Sequence, residues 1–148
     1  MRKLVVVVGM LVIGLGAVMA EQDQVKQTQS VMKGNDKNAG ALVAMVKGKT
    51  PYNQATVDAA LAQFEETAKK LPTLFPASLK GKTFDGKYQP SAKIWQDPAD
   101  FKKHIEGFAK AIEESKGKIK DLATLKAALP VIGDQCDGCH KTYRIKKG

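Results

Sequence analysis

The 148-residue sequence predicts an all-α protein folded as an antiparallel four-helix bundle. Four segments carry apolar residues at the i, i+3, i+4, i+7 spacing of amphipathic helices. No segment shows the period-two alternation of a strand. Glycine and proline clusters separate the segments, which allows neighbouring helices to run antiparallel. The segments cover about 21–47, 53–71, 97–116 and 121–143.

The first two helices are separated by Gly48-Lys49-Thr50-Pro51. Gly34 and Gly40 weaken the first helix without ending it. Its apolar stripe consists of Val25, Met32, Ala39, Leu42, Val43 and Val46. Asn53 can cap the second helix, which Pro72 ends. The stripe of this helix consists of Val57, Ala60, Leu61, Phe64, Ala68 and Leu71.

Residues 72–96 form a long connection that contains four aromatic side chains. These are Phe75, Phe84, Tyr88 and Trp95. Long connections in small domains are usually functional or packed over another part of the molecule. Two interpretations therefore stand: the aromatics cover a cofactor, or they pack on the ends of the helices.

The last two helices have clear start signals. Asp97 is a capping residue followed by Pro98, and Gly117 ends the third helix near residue 116. Asp121 can cap the fourth helix, and Pro130 is expected to kink it. The third stripe consists of Phe101, Ile105, Phe108, Ala109 and Ile112, and we expect His104 at the surface of that helix. The fourth consists of Leu122, Leu125, Leu129, Ile132, Cys136, Cys139 and Tyr143.

The N-terminus predicts export. Met1-Arg2-Lys3 is a short basic start, and an uncharged apolar run leads to Val18-Met19-Ala20, a signal peptidase motif. We therefore predict a signal peptide over residues 1–20, cleavage between Ala20 and Glu21, and one domain over 21–148 in the periplasm. A retained membrane anchor is the alternative, but the apolar run is short for spanning.

The basic charge does not indicate nucleic-acid binding. The chain has 24 basic and 15 acidic residues; without Arg2 and Lys3, 22 basic residues remain and the net charge is +7. The basic residues are spread along the chain and mixed with acids, and an exported protein does not meet nucleic acid. The charge fits either a solvated surface or electrostatic steering towards acidic redox partner proteins.

The fourth helix carries Cys136-Asp137-Gly138-Cys139-His140, the attachment motif of a c-type haem. Positions i, i+3 and i+4 share a helix face, so both thiols can bond one haem edge while His140 ligates the iron. The motif places the haem towards the core and agrees with export, because bacterial c-type haems are attached outside the cytoplasm. A redox dithiol, a disulfide and half of a zinc site are weaker alternatives.

The position of this motif in the last helix, followed by Tyr143-Arg144, resembles the class II cytochromes c. Similar stretches include Val25–Lys33, Ala92–Trp95 and Phe101. The resemblance implies a cytochrome c′-like bundle with one covalent haem c. Two further stretches, Lys47–Tyr52 and Leu71–Pro76, most resemble the low-spin cytochromes c-556 of purple bacteria, in which a methionine of the first helix fills the sixth iron position.

That resemblance assigns the distal iron ligand to Met32, with Met45 as a rival on the same helix. One departure is Thr28, where many members have an arginine linked to the haem propionates. Lys33 or Arg144 are the candidates to replace it. Family members also form helix-to-helix dimers, so the resemblance allows a homodimer.

The sequence therefore predicts a periplasmic electron-transfer protein, not an enzyme, with low-spin iron held by His140 and Met32. The alternative is a high-spin cytochrome c′ that binds nitric oxide or carbon monoxide at an open distal position. A third interpretation, a periplasmic helical binding protein without haem, leaves the Cys-Cys-His motif unexplained.

Overall fold

The structure, a computed structural model, describes residues 13–147, with side chains described from residue 21 onward. Five α-helices lie in this part of the chain: α1 Ile13–Val46, α2 Gln54–Lys70, α3 Lys93–Gln96, α4 Pro98–Ser115 and α5 Leu122–Tyr143. Two 3₁₀ turns, Leu71–Thr73 and Ala77–Leu79, lie between α2 and α3. The four long helices form the predicted antiparallel bundle, in which α1 packs against α2 and α5, and α4 packs against α2 and α5.

The first helix is longer than predicted. It begins at Ile13, so the predicted cleavage point between Ala20 and Glu21 lies within it. Residues 1–12 of the predicted signal peptide lie outside the described residues, and the cleavage stays a prediction. In the part of the chain that the structure describes, no helix combines the length and the apolar character needed to cross a membrane.

Both central helices begin as the capping residues predicted. The Asn53 side chain accepts a hydrogen bond from the Thr56 amide at 2.8 Å and starts α2. Asp97 accepts from the Asp100 amide at 3.0 Å and starts α4. The six predicted stripe residues of α2 are all buried. These caps satisfy amides that have no partner inside the helix.

The capping signal of α5 is also confirmed. Asp121 accepts from the Thr124 amide at 2.8 Å, and the Asp121 amide in turn donates to the Thr124 hydroxyl at 3.1 Å, which completes a capping box. The helix continues through Pro130, whose ring is exposed, to Tyr143. The haem motif therefore lies in the last two turns of a helix that is fixed at its start.

The core contains most of the predicted stripe residues, with two corrections. Val43 is 37% exposed, and Ala109 faces solvent while Ala111 is buried. Met45, which the stripe omitted, is only 4% exposed and belongs to the core. In both helices the predicted residue lies within one turn of the residue that is buried. Spacings of three and four residues define the centre of an apolar stripe, but they do not define which residues lie at its edges.

The absence of strands is the main error of the sequence-based fold. A two-stranded antiparallel ribbon joins β1, Tyr88–Pro90, to β2, Arg144–Lys146. Strand β2 follows directly after α5. The pairing extends one residue further, since the Lys147 amide donates to the Lys87 carbonyl at 2.9 Å. The ribbon attaches the connection between α2 and α4 to the C-terminal end of the haem-motif helix.

The aromatics of this connection have different environments. Phe84 is buried, Tyr88 is exposed, and the Trp95 indole donates to the Phe75 carbonyl at 3.1 Å. The Phe75 ring lies edge-on to the Phe101 ring of α4, with centroids 5.6 Å apart. These contacts agree with the interpretation that the aromatics pack on the ends of the helices.

Candidate haem site

The two cysteines of the motif lie on the inward side of α5. Cys136 and Cys139 are partly buried and pack against the hydrophobic core, as the stripe predicted. Neither thiol is in a disulfide. Because they are three residues apart on one helix, both thiols are presented to the same side. The local geometry is that required for two bonds to one edge of a flat group.

Burial also sets the protonation of the thiols. It raises the pKa of Cys136, with a smaller contribution from the Asp137 carboxylate. Burial, followed by the effect of Cys136, raises the pKa of Cys139 to about 11. Both groups are therefore neutral thiols at pH 7, unlike the thiolate of a catalytic dithiol. Within the described residues, no group of three or more His, Cys, Asp or Glu side chains could hold a metal ion, so the zinc interpretation gains no support.

His140 is half-buried at the end of the motif and borders an open cleft of about 480 Å³. Its neighbours in that cleft are Tyr88, Asp137, Lys141, Arg144 and Lys146. Burial lowers the pKa of His140, the Arg144 guanidinium lowers it further, and Asp137 opposes both effects. The favoured neutral imidazole keeps a nitrogen lone pair that can bind iron.

Hydrogen bonds show which part of α1 lies at the motif end of the bundle. The Gln29 side-chain amide donates to the Asp85 carbonyl at 2.6 Å, and the Lys147 ammonium donates to the adjacent Phe84 carbonyl. One short piece of the connection therefore contacts both α1 near residue 29 and the chain just after α5. Met32 lies one turn further along α1 and is partly buried against the core.

Met45 lies at the other end of α1. Its carbonyl accepts from the Gly48 amide at 3.0 Å in the turn that leads to α2. At that end of the bundle, the Gln54 side chain of α2 donates to the Ile119 carbonyl at 3.1 Å, just before α5 begins. Thirteen residues of helix separate the two methionines, which is about 20 Å along the axis. Met45 is thus a core residue far from the haem motif.

Apolar side chains of α1 and α5 that are only partly buried are suitable contacts for a haem. Met32, Leu129, Cys136 and Cys139 all pack on the core and yet stay partly exposed. On α2 and α4, by contrast, the large apolar stripe residues, such as Leu61, are buried. The partly exposed set combines apolar contacts, two thiols and a thioether with the neighbouring imidazole, which are the donors that a covalently attached haem requires.

The three residues considered for the haem propionates have different environments. Thr28 is buried, and its hydroxyl donates to the Gln24 carbonyl at 3.0 Å or the Leu74 carbonyl at 3.3 Å. Thr28 therefore links α1 to the connection. Lys33 is exposed on α1, and Arg144 is exposed in the cleft beside His140. A propionate role for either cation stays a prediction.

Sequence reasoning missed a cluster behind the motif. The Tyr143 hydroxyl donates to Asp100 Oδ2 at 2.5 Å and links α5 to α4. The His104 ring lies edge-on to Tyr143 with centroids 5.5 Å apart, and a Cβ added at Gly138 would lie 3.8 Å from His104 Cε1. His104 is thus half-buried against the motif helix and not simply on the surface. The sequence signal for this cluster was the spacing of Asp100 and His104, which are four residues apart and therefore on the same face of a helix.

Replacing Tyr143 with phenylalanine is expected to lower the free energy of unfolding by about 1 kcal/mol, because a hydrogen bond to a carboxylate is lost while Asp100 stays hydrated. Urea unfolding followed by circular dichroism measures it. Tyr88→Phe is the matched control, since Tyr88 is 39% exposed, and we expect almost no change. Equal losses in the two variants would contradict the structural role of the Tyr143 hydroxyl.

The same tyrosine should affect stability at high pH. Burial, together with the hydrogen bond to Asp100, raises the pKa of Tyr143 above that of a free phenol. The folded protein therefore keeps a proton that the unfolded chain loses above about pH 10. The contribution of Tyr143 is intact below that pH and declines above it. We expect the stability difference between wild type and Tyr143→Phe to shrink as the pH rises above 10.

Comparisons with known proteins agree on one family. Residues 23–144 match the family model for Cytochrome C′. The chain is 54% identical to the cytochrome c-556 of Rhodopseudomonas palustris over the full length of both chains. The NMR-validated structural model of oxidized R. palustris cytochrome c556 is similar with a TM-score of 0.77 and 55% identity, covering 86% of this chain and 99% of that chain. R. palustris cytochrome c′ is similar with a TM-score of 0.78 and 35% identity, covering 85% and 98%.

Proposed function

Because the chain belongs to the cytochrome c′ family, whose members carry a covalent haem c, we propose that it transfers electrons through an iron ligated by His140 and Met32. The observation that carries this proposal is the position of Met32. It lies on α1 at the end of the bundle that holds the haem motif, and the residue is only partly buried. Met45 is buried at the opposite end.

The chain would hold the haem through three residues of α5. Cys136 and Cys139 would form the two thioether bonds, and the neutral imidazole of His140 would be an iron ligand. The bound haem supplies an iron that is oxidised and reduced by one electron. The inward face of α5 would orient the group against the hydrophobic core, on which Met32 of α1 also packs.

An iron with two protein ligands is suited to carrying electrons. With His140 and Met32 both bound, no iron position is free for a substrate, which favours electron transfer over catalysis. A methionine thioether stabilises ferrous iron and raises the reduction potential. The same two ligands in both redox states keep the structural change during transfer small. This reasoning agrees with the electron-carrying role of the family.

The proposal includes the predicted location. Removal of residues 1–20 would leave Glu21 as the first residue of a periplasmic protein, where it would exchange electrons with redox partner proteins. N-terminal sequencing of the exported protein tests the cleavage point. Light scattering tests whether the mature protein forms the homodimer that the family resemblance allows.

A high-spin cytochrome c′ that binds nitric oxide or carbon monoxide is the second candidate. The fold agrees with that of R. palustris cytochrome c′ as closely as with that of cytochrome c556. The partial exposure of Met32 also leaves room for it to act as a pocket wall. In this case only His140 would ligate the iron.

The optical spectrum of the purified protein tests the proposal. A His140/Met32 iron is expected to give a sharp α band on reduction and no change with carbon monoxide. A broad high-spin spectrum that shifts with carbon monoxide would overturn the ligand pair and favour the second candidate. Haem that is extracted by acidic acetone would instead contradict covalent attachment.

A further inference from the structure

The β1–β2 ribbon assembles an exposed surface next to His140. Paired residues of an antiparallel ribbon share a face, so the Tyr88–Lys146 and Pro90–Arg144 pairs lie together. Tyr88, Arg144 and Lys146 of this face border the cleft that also contains His140 and Lys141. We use the name ribbon surface for five residues: Lys87, Tyr88, Lys141, Arg144 and Lys146.

An aromatic ring lies among the cations of this surface. Tyr88 is 39% exposed, whereas Phe84 of the same connection is buried. The Arg144 guanidinium lies 4.2 Å from the ring centroid and the Lys87 ammonium 5.6 Å from it. Cation–π contacts of this kind hold the ring in place. A fixed, exposed tyrosine surrounded by polar groups is a typical anchor for a protein partner.

The cations of the ribbon surface have no carboxylate partners within residues 21–147. Elsewhere six lysines form ion pairs: Lys69, Lys70, Lys82, Lys102, Lys110 and Lys116. None of these pairs involves Lys87, Lys141, Arg144 or Lys146, and among the residues that the structure describes, Asp137 is the one carboxylate that lines the cleft. Four nearby positive charges therefore give this end of the molecule a positive field.

We propose that the ribbon surface is the docking site for an acidic redox protein, which would bring its redox centre close to His140. This inference depends on the proposed electron-transfer function. Charge complementarity selects a partner with carboxylates around an apolar patch that covers Tyr88. A membrane surface fits less well, because Ile145 pairs with Gln89 and so lies on the opposite face of the ribbon from Tyr88.

Plastocyanin, an acidic blue-copper protein, serves as the probe. One electron passes from the ferrous iron of the chain to Cu(II), which gives ferric iron and Cu(I) with no proton or ligand exchanged. Stopped-flow absorbance measures this rate at low and high ionic strength. Amide chemical shifts measured with redox-inactive cadmium plastocyanin map the contact independently of electron transfer.

The test variant is Lys87→Glu/Lys146→Glu, and the matched control is Lys118→Glu/Lys126→Glu. Both change the net charge by the same amount. Lys118 and Lys126 are exposed near the start of α5, and Lys126 is fifteen residues before Lys141, about 22 Å along the helix. Lys87→Gln/Lys146→Gln is a milder second variant in case the glutamates disturb the ribbon.

At low ionic strength we expect the test variant to be oxidised about tenfold more slowly than wild type, and the control less than about threefold more slowly. The difference should vanish at high salt. The glutamine variant should show a smaller loss in the same direction. Chemical-shift changes in the wild type should centre on residues 87–88 and 141–146.

Equal losses in both glutamate variants would mean that only net charge matters and would overturn the proposal. Chemical-shift changes that centre on another face would also overturn it. A test variant that loses binding to phosphatidylserine vesicles, while its oxidation by plastocyanin is unchanged, would overturn it as well. A wild-type protein with high-spin iron would contradict the proposed function alone. The chemical-shift map would still test docking in that case.

Discussion

Replacing Met32 with alanine is expected to remove the sixth iron ligand and to convert a low-spin spectrum into that of a five-coordinate or water-ligated iron. The variant should then bind carbon monoxide, which the wild type should not. The reduction potential should fall on the order of 0.1 V, because the thioether that stabilises ferrous iron is gone. Absorption spectroscopy with and without carbon monoxide and a redox titration measure these effects.

Met45→Ala is the matched control on the same helix. Met45 is 4% exposed in the core, so its truncation should cost about 2–5 kcal/mol of unfolding free energy. Its spectrum should stay that of the wild type, since Met45 lies at the far end of α1 from the motif. A wild-type spectrum in Met32→Ala, with a changed spectrum in Met45→Ala, would reverse the ligand assignment.

The choice between these methionines illustrates what a sequence pattern can specify. Both residues lie on the first helix at positions that the periodicity could assign to the core. Their distance from His140 depends on how α1 is aligned with α5, and hydrogen bonds between distant segments define that alignment. Gln29 reaches Asp85, which is 56 residues away in sequence. No pattern within one helix contains that information.

The haem motif is predictable because its chemistry is local. Two thiols and an imidazole at i, i+3 and i+4 share a helix face wherever the helix occurs. The helix starts are predictable for the same reason, because the Asn53, Asp97 and Asp121 caps each act on an amide three residues ahead. Local chemistry thus predicted that the Cys-Cys-His motif shares one helix face and where the helix that carries it starts.

The ribbon was not predictable because its strands are short and distant in sequence. Each strand has three residues, too few to show alternation, and β1 ends in Pro90, a residue that weakens a strand prediction. The pairing partners Tyr88 and Lys146 are 58 residues apart. The sequence therefore showed the cations near His140 only as basic residues spread along the chain, and not as one cluster.

Replacing both motif cysteines with alanine is expected to abolish covalent haem. The chain from a c-haem-producing host should then show no haem-dependent peroxidase stain on a denaturing gel. The apolar surface of Met32, Leu129 and the two altered positions would remain partly exposed. We expect the variant to melt at a clearly lower temperature than the wild type, because a bound group that contacts only the folded state stabilises it.

The two residues between the cysteines supply the matched control. Asp137 is exposed, and a Cβ at Gly138 would make an ordinary 3.8 Å contact with His104 Cε1. Asp137→Ala/Gly138→Ala therefore keeps the thiols and the helix, and it should retain the stain and most of the thermal stability. Covalent haem in the double-cysteine variant would show that attachment does not use these thiols. Loss of haem in the control as well would mean that the intervening residues, and not only the thiol spacing, determine attachment.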